Sequence, residues 1–327
     1  MLGIQEVDQI KALIQTEIED RNASTLVYDR LPDIRDGKDG FEGEIRLSFD
    51  RAGKAYLSAF VNKKWHTEEI NMADFNPKPW YLRVAEGEIP GYSLIHKFGA
   101  GTLTTTMSPI TNAGTYQTPS TVQALEVVSD NANDTAAGTG AQEVTLIGLD
   151  SSWNEVTVVK ELNGTTAVAL GANRFRMYRW YVSRSGVYAD ESTGSHAGIL
   201  TLQGTGGGTV WDTMPVTPFP VGQSQIGVVT IPDGYEGRLL SKNIFVDSSK
   251  TADIYFFKRE HTDDVTTPFS GTMRLVEREV GISGGYALTT VAPKGPFTGP
   301  CDVGFMGVMS VGTSECSVEF EMLLKKI

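Results

Sequence analysis

From about residue 80 to its end the chain lacks helical periodicity, and this limits its fold more than any other property of the sequence. Short apolar runs alternate with clusters of Gly, Asn, Asp, Ser and Pro. The runs cover residues 93–98, 122–129, 143–149, 155–162, 165–170, 174–183, 198–203, 225–231, 238–247, 252–259, 272–276 and 316–324. Many short strands with polar turns and no interleaved helices describe a mainly β protein with an antiparallel β-sandwich or jelly-roll-like body. They exclude a parallel α/β sheet. Asn163-Gly164, between the runs 155–162 and 165–170, is the strongest hairpin signal in the chain. Pro215, Pro218 and Pro220 crowd residues 214–222, which read either as an internal boundary or as a crossover within one sandwich.

The segment before residue 77 is built differently. Ile4, Val7, Ile10, Ile14 and Ile18 fall on one helical stripe, with acids and glutamines largely elsewhere. A seam of two to three heptads is too short to stand alone, so residues 1–30 predict a docking or bundling helix and a linker. Gly37, Gly40 and Gly43 then recur every third residue, too briefly for a collagen helix and better read as a turn. Strands are predicted at 44–49, 55–61 and 65–70, a small β meander that forms a stalk unit over 31–76. A meander of that size buries too little to be stable alone. The body is expected over 77–327.

The balance of 28 Lys plus Arg against 40 Asp plus Glu gives a net charge of −12, which opposes nucleic-acid binding and adhesion to anionic membranes. No window reaches the roughly 20 uninterrupted apolar residues of a membrane span. Neither a signal peptide nor a membrane insertion is read at the N-terminus. The only cysteines, Cys301 and Cys316, are too few for a disulfide framework or zinc site and read as buried thiols rather than a bond.

Chemistry-bearing constellations are scarce. His66, His96, His196 and His261 lack metal-ligand spacing to one another or to Cys. The polar run around Glu260, His261, Asp263 and Asp264 reads as a solvated loop. Residues 129–135, SDNANDT, read as a turn with Asx hydrogen bonds rather than a cation loop, since the spacing of a calcium loop is missing. Gly204 to Thr209 carries no following Lys and no helix, so a glycine-rich β turn fits better than a phosphate loop. No catalytic, cofactor-binding or metal-ligating set is assigned, and the chain is expected not to be an enzyme.

RFRMYRWYVSR, residues 174–184, is the only locally basic strand in this acidic chain. Arg174, Arg176, Tyr178, Arg179 and Trp180 suit a partner surface, where Arg and aromatic anchors are enriched. The competing reading is a two-faced strand with its apolar side in the core and its arginines in solvent.

The segments GKDGFEGEIRL (37–47) and AYLSAFVNKKW (55–65) are similar to short units near the start of phage fibre chains. SLIHKFG (93–99), LEVVSDNANDTAAGTGA (125–141) and GLDSSWNE (148–155) look like those of phage virion proteins. On these residues the chain resembles structural proteins of tailed bacteriophages. The resemblance implies a non-enzymatic homotrimer located in the virion and displayed on its surface. A tail fibre or adhesin attached through its N-terminal segment comes first, a capsid decoration (cement) protein second and a glycan-depolymerising spike third. The expected partners are copies of itself, other tail or capsid proteins, and a host surface glycan or receptor.

Overall fold

The computed structural model describes residues 45–49, 55–61, 64–70, 79–190 and 192–327. The chain divides into two compact units, Met1–Glu86 and Gly87–Ile327. In the first, β1 (Ile45–Phe49), β2 (Ala55–Val61) and β3 (Lys64–Ile70) form an antiparallel meander in that order, on the residues where strands were expected. The predicted helical stripe Ile4, Val7, Ile10, Ile14 and Ile18 lies outside the described residues. The unit also contains the one-and-a-half-turn helix α1 (Trp80–Ala85), so the division falls later than residue 77. Gly87 ends that helix at φ 74°, the left-handed conformation that glycine adopts without a Cβ penalty.

The second unit is all β. Its strands are β4 (Tyr92–Leu103), β5 (Ser108–Pro109), β6 (Leu125–Ser129), β7 (Ala141–Leu149), β8 (Glu155–Glu161), β9 (Val168–Ala169), β10 (Arg176–Ser185) and β11 (Leu200–Gly204). They continue with β12 (Val210–Met214), β13 (Val228–Ile231), β14 (Tyr235–Val246), β15 (Ala252–Glu260), β16 (Arg274–Ile282), β17 (Gly284–Thr298), β18 (Cys301–Met309) and β19 (Ser314–Lys326).

Two sheets make the body. One has the order β4-β19-β14-β17 and the other β13-β18-β15-β16, with the short β5 beside β18. Apart from β5, the body strands in chain order are β4 and β13 to β19. One sheet therefore reads first, eighth, third, sixth, and the other second, seventh, fourth, fifth. That is the strand order of a jelly roll. Between its first and second strands the chain makes a lobe from β6 to β12, as sheets β10-β7-β8 and β12-β11-β6-β9.

Period-two alternation builds the body core. Along β19, Cys316, Val318, Phe320, Met322 and Leu324 point inward while Glu315, Ser317, Glu319, Glu321 and Leu323 are less buried. Phe305 of β18 meets Phe320 of β19 at 5.2 Å between ring centroids, and Phe256 of β15 meets Phe297 of β17 at 5.7 Å. These contacts join the two sheets, and each fully buried ring contributes about 1.5–3 kcal/mol. Where residue 227 crosses β4, the backbones come so close that a Cβ on Gly99 would lie 2.2 Å from the Gly227 nitrogen. Under β14 and β16 ions replace apolar packing. Lys242 Nζ, almost fully buried, lies 2.7 Å from Glu277 Oε2 and 2.8 Å from Glu279 Oε1.

The lobe has its own core, which includes Leu125, Val127, Leu146, Trp180, Leu200, Trp211 and Met214. Residues 214–222 carry the chain from this core back to the body, and the unit is not divided there. The Asn163-Gly164 expectation fails in part. Gly164 makes a turn at φ 58°, but β8 pairs with β7 and β9 with β6, so the turn connects two sheets rather than one hairpin. Both cysteines are free and buried.

Candidate functional site

β10 decides the site, because its side chains divide among three environments. Its register with β7 is interrupted between Met177 and Arg179 by a bulge. The bulge lets neighbouring side chains both point inward: Met177 packs in the lobe core and Tyr178 in the body core. Beyond it alternation resumes, with Trp180 fully buried, Arg179 exposed and Tyr181 half-buried.

This corrects the expected partner surface. Arg174, Arg176, Tyr178 and Trp180 are buried within the chain, and of the five only Arg179 reaches solvent. The two-faced alternative also fails for Arg176, which enters the interior because a carboxylate is waiting there. Arg176 Nε and Nη2 each donate to Asp302 of β18 at 3.0 Å, a bidentate fork with side chains 0% and 2% exposed. The Asp302 Oδ1 atom also accepts from Thr230 Oγ1 at 2.6 Å, and Tyr116 is hydrogen-bonded to the same hydroxyl at 2.7 Å. Burial, then the nearby Asp302 charge, push the Tyr116 phenol far above its ordinary range. Trp153 completes the contact: it stacks on Phe175 at 4.4 Å, and the Arg176 guanidinium sits 5.1 Å from its ring centroid.

A second buried set lies beside the first. Lys97 of β4 points inward and its Nζ donates to the Tyr178 carbonyl. Asp212 of β12 accepts from Trp180 Nε1 at 2.6 Å through Oδ2, while its Oδ1 has no hydrogen-bond partner. Desolvation, then the Arg179 charge, lower the Lys97 pKa to about 7, and desolvation raises Asp212 to about 7. Both sets lie at the seam between lobe and body and are shielded from any substrate, so their chemistry is structural.

The other motifs are consumed by the fold. Asp134, fully buried, accepts from Ser129 Oγ and from the backbone N–H of Ala141, Ala197 and Gly198 at 2.6–2.8 Å. Asn131 Oδ1 accepts from the Asn133 N–H, the Asx turn expected of the 129–135 run. The Gly204–Thr209 turn does cradle an anion, but an internal one. The Gly206 and Gly207 N–H groups donate to the carboxylate of Glu126, whose pKa falls through Gln203 and these amides. Asp264 accepts from the N–H groups of Thr266 and Ser270, closing the loop around His261. His196 is buried against the Pro215 carbonyl, and His96 meets Glu319 at 2.6 Å on the outer face of the body. Among the described residues no group of three or more His, Cys, Asp or Glu could hold a metal ion.

The outward face of β10 is open to a ligand. Arg179 lies opposite Ile147 and Tyr181 opposite Thr145 of β7, and the return segment Val221–Gln223 runs alongside, bridging to Tyr181. Ile147, Arg179, Tyr181, Val182, Val221, Gly222 and Gln223 line a groove of about 430 Å³.

No family model matches the chain, and no curated protein matches it. Among solved structures it is similar to the VP2 subviral particle of infectious bursal disease virus. The two share 12% identity over 76% of this chain and 78% of that one, at a TM-score of 0.21. Particles derived from the same virus match at 14% identity, over 75% and 74% of the two chains, also at 0.21.

Asp302, Lys97, Asp212, Tyr116 and Thr230 were not singled out in the sequence. A signal existed: Asp302 is the only charged residue in CDVGFMGVM, an otherwise apolar strand. An ionisable group there needs a buried counter-charge.

Proposed function

We propose that this chain is a non-enzymatic structural protein of a viral particle. The observation that carries the reading is the strand order of the body, since eight-stranded jelly rolls build viral capsid domains and lectins. Within that class, the resemblance to tailed-phage proteins favours a surface-displayed homotrimer attached through residues 1–30. The division at Glu86–Gly87 supports this, because a body with its own core can be displayed on a separate attachment unit. A fibre or adhesin role comes first. The shell use of jelly rolls favours a second reading, a capsid decoration protein.

Deletion of residues 1–30 tests the attachment. The truncated chain is expected to keep its folded body by circular dichroism and to be missing from purified particles. Truncated protein present at normal copy number would overturn the proposal. Quantitative mass spectrometry of particles separates the two roles, with tens of copies for a fibre and hundreds for a shell protein. Incubation with host surface polysaccharide is expected to release no reducing ends.

A further inference from the structure

The groove on the outward face of β10 is an open concavity in which a cation, an aromatic ring and an amide converge. Its cation is unusual in this chain. Other exposed arginines have carboxylate partners: Arg184 with Glu161 and Glu143, Arg278 with Asp253, Arg274 with Glu260. Arg179 has none in ion-pair range among the described residues, although the chain carries 40 acids. Its guanidinium is instead placed over the Tyr181 ring, 5.8 Å from the centroid. A ring in that position orients the guanidinium and leaves its N–H fork unneutralised.

The surroundings limit what that fork would take. Ile147, Val182 and Val221 supply apolar walls, and the exposed Gln223 supplies one amide donor and one amide acceptor beside the cation. The volume of about 430 Å³ falls within the range of small-molecule sites, about 300–1,000 Å³. The floor is a sheet fixed from behind by the buried Trp180 and its bond to Asp212, so the groove is preformed. A ligand that fills it needs a carboxylate for Arg179, hydroxyl or amide groups for Gln223, and an apolar ring face for the walls.

We propose that this groove binds an acidic saccharide, a sialic or uronic acid residue, with its carboxylate on the Arg179 fork. The inference goes beyond membership of a viral particle and stands whether or not the chain is found there. On a displayed protein, such a groove would engage cell-surface glycan.

The test is titration of the full chain, followed by NMR or calorimetry, with the methyl glycosides of N-acetylneuraminic acid and glucuronic acid. Methyl glucoside and acetate serve as the neutral and bare-carboxylate probes. Saturable binding of at least one acidic glycoside is expected, at least about tenfold tighter than either control, which corresponds to about 1.4 kcal/mol. Arg179→Gln should remove that preference and Arg179→Lys should restore only part of it, because a point charge replaces a planar fork. Arg278→Gln, on β16 and outside the groove's lining, should bind as the parent does. Unchanged thermal midpoints show that the variants fold. Three results would each overturn the proposal: no binding of either acidic glycoside, equal binding of acetate, or undiminished binding by Arg179→Gln. Because the readout is binding by isolated protein, its failure is distinct from failure of the particle assay.

Discussion

Two buried charge sets lie at the same seam and have opposite characters. Arg176 and Asp302 satisfy each other with two parallel hydrogen bonds, and Thr230 contributes a third to the carboxylate. Lys97 and Asp212 find fewer partners. The ammonium donates to a backbone carbonyl, one carboxylate oxygen is left over, and desolvation brings both groups to about 7. Burial is common to both sets, and what separates them is the geometry of the partner: one carboxylate receives a bidentate fork, the other a single side-chain donor.

The contrast breaks most sharply at Arg176. Arg176→Met leaves Asp302 as a buried charge with fewer donors, and should lower stability by about 3–5 kcal/mol in chemical denaturation. The double variant Arg176→Met with Asp302→Leu should recover much of that loss. Failure to recover would mean that the charge pair specifies the seam rather than merely filling it.

The Lys97 and Asp212 set should appear in the pH profile. Asp212 holds its proton in the folded state above the unfolded pKa, so its contribution falls as pH rises from about 4 to about 7. Lys97 loses its proton more readily when folded, so its contribution rises from about pH 7 to about 10. Stability measured against pH should therefore dip near neutrality, each limb having a slope of up to about 1.4 kcal/mol per pH unit. Asp212→Asn should flatten the acid limb and Lys97→Met the alkaline one. Arg176 and Asp302 variants should leave both limbs in place.

The smallest effect belongs outside the seam. Arg184 and Glu161 form a 2.7 Å pair in solvent, and Arg184→Ala should leave the denaturation midpoint where it is. A clear shift there would show that exposed pairs on β10 act together with the buried ones.

Fold class was legible because short apolar runs separated by turn clusters carry no helical period, and β19 alternates inward and outward residues along its length. β17 and β18 were not, since GGYALTTVAPKGPFT and CDVGFMGVM look like loop and breaker sequence. Their glycines serve close packing instead: a Cβ on Gly307 would come within 2.5 Å of a Leu103 methyl carbon. The jelly-roll order could not be read at all, because it depends on pairings such as Leu103 with Ser314, distant in sequence. The same distance hid the role of Arg176, whose carboxylate is 126 residues away. Local pattern records which face of a strand is apolar, and the partner of a buried ion is not a local property. Arg179, by contrast, is the one residue of the expected partner surface that stays exposed.

The position of β19 has a consequence for the order of assembly. It lies between β4 and β14 in the sheet, although both precede it far back in the chain. Every strand ladder of the lobe, by contrast, closes between Leu125 and Met214. The lobe can therefore be complete while β4 still has no neighbour in its sheet. Two edges, β4 and β14, stay open to any other strand until β19 is seated between them. Loss of Ser314–Lys326 would leave both edges exposed, and aggregation would be its signature.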